Sequence, residues 1–278
     1  WTNWAIIYTL RGIASRKKDI NMVFLLHQLL SETAAKYPNK EALLFNRESI
    51  TYFELEKASN RMANLLIESG VKRQDKIGIY MPRSINSIIG IFAILKAGAT
   101  YVPIDPFCPE SRINYIINKC EIVFLLSSRE MLAKIAKAFP GETPLKKVLL
   151  MDGLDLRQEV HPSIQLLSCL EKDVAISGNN HEVNIVDADL SYILFTSGST
   201  GSPKGVMLSH LNALTFINMA CGFFNITKED ILSNISPLHF DLSVFDIYVA
   251  LKVGAAVAIA PEGISVFPSK LAEFIQSN

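Results

Sequence analysis

Along most of this chain, segments with apolar residues at helical spacing alternate with short, continuously apolar runs, and Gly or Pro marks the joins. Phe24 to Lys36 has helical spacing and stops before Tyr37-Pro38, as a helix approaching a proline does. After a short apolar stretch at Ala42 to Phe45 comes Thr51-Tyr52-Phe53-Glu54, in which Thr51 can cap the Glu54 amide while Glu54 reaches back. A long helix is predicted from there to Ser69, with Gly70 as its stop. Lys76 to Tyr80 reads as a strand, Ser84 to Ala97 as an apolar helix ending at Gly98, and Thr100 to Ile104 as the next strand. The rhythm continues with a helix over Pro109 to Lys119, a strand over Ile122 to Leu126, a helix over Arg129 to Ala138 and a strand over Val148 to Met151. Repeated strand, helix, strand order predicts an α/β fold of βαβ units, with largely parallel sheets and flanking helices. Residues 152 to 190 lose the rhythm, with Gly, Asn, Ser and His clustered at Ser177 to His181, and read as a surface excursion. Strand character resumes at Ser191, so the two halves are expected to complete one sheet system.

Composition narrows this picture. At 278 residues and 49% hydrophobic, the chain can bury a substantial core. Its 27 basic and 27 acidic residues balance, so no global field favours nucleic acid or an anionic membrane as a partner. Apolar runs such as Ile88 to Leu95 and Val253 to Ala260 are far shorter than the roughly 18 to 20 residues a membrane helix needs. Cys108, Cys120, Cys169 and Cys221 form no C-x-x-C pair and show no ligand spacing to the five histidines. They read as reduced thiols packed as small hydrophobes in a cytoplasmic protein, without a metal or disulfide framework. Met22 is the first methionine, and residues 1 to 21 place an apolar stretch before Arg16, Lys17 and Lys18, the reverse of a signal peptide's order. They are expected to be a disordered extension upstream of a start at Met22, with residues 22 to 278 forming one domain portion.

The chemistry concentrates between Ser191 and His210, in SYILFTSGSTGSPKGVMLSH. Two apolar runs, Ser191 to Phe195 and Val206 to Leu208, flank a loop of Gly, Ser and Thr. Gly198, Gly201 and Gly205 allow another group to approach the backbone, and Thr196, Ser197, Ser199 and Thr200 add hydroxyl donors. Such a loop presents converging N–H groups to an anion, and Lys204 adds a compact positive charge suited to a polyphosphate. The plain reading of a Gly/Ser-rich loop is a flexible connection. A Walker-type P-loop is excluded by Pro203 before and Gly205 after the lysine, and the glycine spacing from Gly198 fails the dinucleotide fingerprint.

TSGSTGSPKG with the following LSH resembles the phosphate-loop signature of the adenylate-forming superfamily, which comprises acyl-CoA synthetases, firefly-type luciferases and amino-acid adenylation domains. ITYFELEKASNRMANLL, Ile50 to Leu66, resembles that family's first helix signature, and LKAGATYVPIDP, Leu95 to Pro106, its second. Read alone, both are architectural: a capped helix, and a helix stop before a strand and a Pro-bounded turn. The resemblance implies that Thr196, Ser197, Gly198, Ser199, Thr200, Gly201 and Lys204 hold the β and γ phosphates of Mg-ATP while a substrate carboxylate attacks the α phosphorus. The cofactors implied are ATP and Mg2+.

Downstream lies ISPLHFDLSVFDIYVAL, Ile235 to Leu251. An aspartate in apolar surroundings is costly to bury alone, so Asp241 is expected either to cap a helix over Ser243 to Leu251 or to meet a cation. Phe240-Asp241-Leu242-Ser243 resembles the segment of amino-acid-activating members in which the aspartate pairs with the substrate α-ammonium group. By that likeness Leu242 and Phe245 contribute an apolar wall of the same pocket. His239 reads either as a hydrogen-bonded core histidine or as a lining residue near the reacting carboxylate, His210 as the start of the helix after the loop, and Asp246 as lying on a solvated helix face. The resemblance further implies a magnesium-binding glutamate segment, a ribose-binding aspartate, a hinge and a small C-terminal domain with a catalytic lysine, none of which can be placed before Asn278. The chain is therefore read as the incomplete N-terminal domain of the adenylate-forming fold, inactive as it stands. The complete enzyme is expected to make an aminoacyl adenylate and pass it to the phosphopantetheine arm of a carrier protein, or to CoA. An acyl-CoA ligase and a naturally short, non-catalytic nucleotide-binding protein are the alternatives.

Overall fold

The computed structural model describes residues 23–153, 160–169, 183–196 and 203–278. The expected extension 1–21 and the cluster Ser177 to His181 lie outside the described residues. The first half begins with α1 (Leu26–Lys36), the hairpin β1 (Glu41–Phe45) and β2 (Glu48–Thr51), and α2 (Tyr52–Glu68). It goes on through β3 (Lys76–Tyr80), α3 (Ile85–Lys96), β4 (Thr100–Pro103), α4 (Glu110–Cys120), β5 (Phe124–Ser127), α5 (Leu132–Ala138) and β6 (Lys147–Leu150). Every helix and strand expected here forms, within one to three residues at its ends.

The local signals work as their chemistry requires. Thr51 Oγ1 accepts the Glu54 amide at 3.2 Å, and the Glu54 carboxylate accepts the Thr51 amide at 2.8 Å, which holds that carboxyl below its usual range. Gly70, at φ +100°, ends α2 in a conformation that other residues avoid. Thr51→Ala removes one side of the capping box and is expected to lower unfolding free energy by about 1 kcal/mol. Urea unfolding with an unchanged slope checks this.

The second half corrects the expectation of one sheet system. β7 (Gln165–Ser168), β8 (Leu190–Thr196) and β9 (Lys204–Ser209) join a seven-stranded sheet of order β7-β6-β5-β3-β4-β8-β9. After α6 (His210–Phe224), β10 (Ile231–Asn234) and β11 (Ala256–Ile259) instead pair with the hairpin, giving a separate four-stranded sheet of order β10-β11-β1-β2. Among the described residues, only the β1–β2 and β8–β9 pairs are antiparallel. Between β10 and β11 runs a helix in three pieces, α7 (Leu242–Val244), a π-helical stretch (Phe245–Val249) and α8 (Ala250–Val253). A short 3-10 turn then leads to α9 (Pro268–Ser277). β7 lies in what reads as a surface excursion, where it extends the parallel ladder beyond β6.

One core joins the two sheets. It runs from Leu43 and Val257 in the smaller sheet through α3 to Ile79 and Leu126 in the larger one. α3 is apolar nearly all round, which suits a helix buried on every side. Its one charge, Lys96, is 1% exposed and meets Glu56 Oε2 at 2.6 Å, Asn60 Oδ1 at 2.6 Å and Ser59 Oγ at 2.9 Å. A buried ammonium persists only with such partners. Nearby, His27 and His210 face each other edge to face at 6.2 Å, and His210 Nδ1 accepts the Leu26 amide at 3.1 Å. His210 opens α6, as expected. Burial pushes His27 down to about 3 and His210 to about 4. Among the described residues, no helix is long and apolar enough to cross a membrane.

Candidate active site

Three neighbouring strands of the larger sheet, β4, β8 and β9, border one cavity. β8 lies between β4, with Tyr101 beside Tyr192, and antiparallel β9, with Thr196 opposite Lys204. Thr196 Oγ1 donates to the Lys204 carbonyl at 3.4 Å, so the two ends of the Gly/Ser/Thr loop are drawn together. Ser197, Gly198, Ser199, Thr200 and Gly201 lie outside the described residues. Lys204 is exposed at the start of β9. At Gly205, an added Cβ would sit 2.9 Å from Ile193 Cγ2 and 3.2 Å from the Phe195 ring, so only glycine lets β9 approach β8 this closely.

Beside the loop ends opens a cavity of about 630 Å3. β8 contributes Leu194, Phe195 and Thr196, the turn after β4 contributes Asp105 and Phe107, and the first turn of α4 contributes Arg112. The segment after β10 contributes His239, Phe240 and Asp241. Apolar walls with a few charged groups suit a small polar ligand with an organic body. The structure thus brings Thr196, His239 and Asp241 together. It does not bring Leu242 and Phe245 to this cavity: Leu242 is 63% exposed, and the half-buried Phe245 ring packs edge to face on Phe224 at 5.1 Å.

Asp241 lies at the cavity rim, exposed, in helical backbone with φ −63° and ψ −28°. Its side chain makes no capping hydrogen bond, so the capping alternative is not realised, and among the described residues its carboxylate has no hydrogen-bond or ion-pair partner. His239 is half-buried on the cavity wall, its ring 4.8 Å from that of Phe240. Burial lowers its pKa, opposed by the Asp105 charge and reinforced by Arg112, which keeps the imidazole neutral near pH 7.

Asp246 corrects another expectation. It is half-buried, not on a solvated face, and its carboxylate accepts from Asn234 Nδ2 at 3.1 Å. Burial pushes it up to about 6. Phe107 and Arg112 are cavity residues that motif reading passed over, and Asp105 is one it met only within a signature read as architectural. Their signal was positional, since ligands of open α/β sheets bind beyond the carboxyl ends of the strands: Asp105 and Phe107 follow β4 directly, and Arg112 lies in the first turn of α4.

Parallel strands β4 and β8 ending on such a cavity define an α/β domain with a ligand-sized cleft. The chain belongs to the AMP-binding enzyme family, whose profile matches residues 30–278. Among curated relatives, it is 33% identical over 262 residues to the L-proline--[L-prolyl-carrier protein] ligase of Pseudomonas fluorescens, covering 91% of this chain and 48% of that protein. The chain therefore spans about half the length of that relative. Among solved structures, the anthranilate CoA ligase AuaEII in complex with anthranoyl-AMP superposes with a TM-score of 0.81 at 18% identity, covering 93% of this chain and 49% of that one. The nonribosomal peptide synthetase FmoA3 in its alpha-methyl-L-serine-AMP bound form gives 0.76 at 24% identity, covering 93% of this chain and 26% of that one. At these identities the two likenesses show the fold.

Proposed function

We propose that the full-length protein activates an amino acid. Its carboxylate oxygen attacks the α phosphorus of ATP, the bond to the β-phosphate oxygen breaks, and aminoacyl-AMP and pyrophosphate form. The acyl group then passes to a thiol, the phosphopantetheine arm of a carrier protein, in the cytoplasm. The observation that carries this reading is Asp241, a carboxylate at the cavity rim without a partner among the described residues. A free α-ammonium group is the ligand chemistry that such a carboxylate selects, because a charge-assisted hydrogen bond to it cannot be replaced by an uncharged acyl chain. The curated relative, named for prolyl transfer to a carrier protein, supports the same class.

Thr196, with Ser197, Gly198, Ser199, Thr200, Gly201 and Lys204, is assigned to the ATP phosphates, and His239 to the wall beside the reacting carboxylate. Leu242 and Phe245 keep their assignment to the amino-acid side chain only if the segment around them turns further inward when substrate is bound. Among the described residues, no group of three or more His, Cys, Asp or Glu side chains could hold a metal ion. Mg2+ entering with ATP would take most of its oxygen ligands from the phosphates and water, with one or two carboxylates at most.

The fold likeness to an anthranilate CoA ligase favours one second reading, a ligase that passes an aryl or fatty acid to CoA. Pyrophosphate exchange by the full-length gene product separates the two. The first reading requires exchange driven by an amino acid, and the second requires exchange driven by acids that lack an α-ammonium group.

A further inference from the structure

Residues 235–241 connect β10 to α7 and carry both His239 and Asp241 to the cavity. Side chains from distant parts of the chain fix their path. Arg83, just past the end of β3, is 4% exposed. Its Nε and Nη2 grip the Glu262 carboxylate at 3.2 and 3.1 Å. Its Nη1 donates to the Asn234 carbonyl at 3.1 Å and to the Ile235 carbonyl. Glu262 follows β11 and also accepts the Arg83 amide at 2.9 Å. One guanidinium thus ties the carboxyl ends of β3, β10 and β11 to the first residue of the segment. A lysine cannot do this, because it lacks the planar fork.

The second anchor comes from the helix that the segment leads into. The π-helical stretch carries Asp246 to the base of the segment, where it accepts from Asn234 Nδ2 at 3.1 Å. Asn234 Nδ2 also reaches the Ser236 carbonyl at 3.3 Å. At the far end, Ser243 Oγ donates to the Phe240 carbonyl at 2.7 Å.

We infer that Arg83 and Asp246 are positioning residues for substrate selection: they hold residues 235–241 in the one path that presents Asp241 to the ligand's ammonium group. Neither side chain lies on the large cavity with Asp241, so each acts through the segment. The consequence for selection rests on the amino-acid reading of Asp241, whereas the anchoring does not.

The test uses Arg83→Lys, Asp246→Asn and the milder Glu262→Gln in the full-length gene product. Amide hydrogen exchange at Phe240, Ser243 and Val244, whose acceptors lie within residues 237–241, should rise about ten-fold, with β3 and β11 within about two-fold of wild type. In pyrophosphate exchange, KM for the amino acid should rise about ten-fold while kcat and KM for ATP stay within about two-fold. Unchanged exchange at those three amides in all the variants overturns the proposal. So does a parallel rise of both KM values with faster exchange throughout both sheets, which marks a merely structural role. If wild type shows no exchange driven by an amino acid, the proposed function falls, and the amide measurement still decides the anchoring.

Discussion

Asp241→Ala is expected to lower kcat/KM for the amino acid in pyrophosphate exchange about a hundred-fold, a loss near 3 kcal/mol. The size of the effect discriminates between two situations. An exposed ion pair contributes at most about 1 kcal/mol, which is a factor of about five. Losing one partner of a charge pair from which water is excluded costs about 2 to 5 kcal/mol, because the other charge is left desolvated and alone. Asp241 is open to solvent in the described structure, so the larger value requires that bound substrate and surrounding chain close over it. The same variant should act on the des-amino analogue of the substrate as well as wild type does. A loss below about five-fold for the amino acid shows that Asp241 still faces water in the working enzyme.

The second large effect is a loss of stability in mild acid. His27 and His210 are neutral in the fold, with pKa values of about 3 and about 4, against about 6.5 when unfolded. Burial is the first cause for both, and the His210 charge and then Lys96 add to it at His27. Below 6.5 the unfolded chain takes up protons that the folded one refuses. Stability is therefore full above pH 6.5 and falls as the pH drops toward 4, by about 1.4 kcal/mol per unit for each histidine. At pH 5 that is about 2 kcal/mol each, or about 4 together. Asp246 opposes it: with a folded pKa raised to about 6, it binds protons in the fold as pH falls, which returns no more than about 1 kcal/mol. A net loss of about 3 kcal/mol between pH 7 and pH 5 is expected from urea unfolding, with roughly half of the histidine contribution removed in His27→Gln. Equal stability at the two pH values contradicts the account.

Much of the first half was legible because its signals are local. The Thr51 capping box, the Gly70 and Gly98 stops and the apolar runs of β3 and β4 each state their outcome within a few residues. The second sheet was not legible in this way. β10 is a four-residue strand of which only Asn234 is buried, and β11 sits in an apolar run that could equally be helix. β11 pairs with β1, about two hundred residues upstream, and parallel pairing over that separation leaves no mark in a local window. The candidate site divided along the same line. The Gly/Ser/Thr loop and Asp241 stand in motifs that a sequence shows directly, while the cavity beside them needed the strand order that puts β4, β8 and β9 side by side. Arg83 carries no local signal of its role, because its acceptors at Asn234, Ile235 and Glu262 lie more than 150 positions away. Asp246 was misjudged for a related reason: regular helical spacing turns it to solvent, but the π-helical stretch rotates it inward.

The most direct test of the central claim is pyrophosphate exchange by the full-length gene product, run across a panel of amino acids beside aryl and fatty acids. The account predicts that one amino acid, or a narrow set, drives exchange well above every acid that lacks an α-ammonium group. Exchange driven only by acids of the latter kind, or none with any carboxylate while ATP still binds, contradicts it.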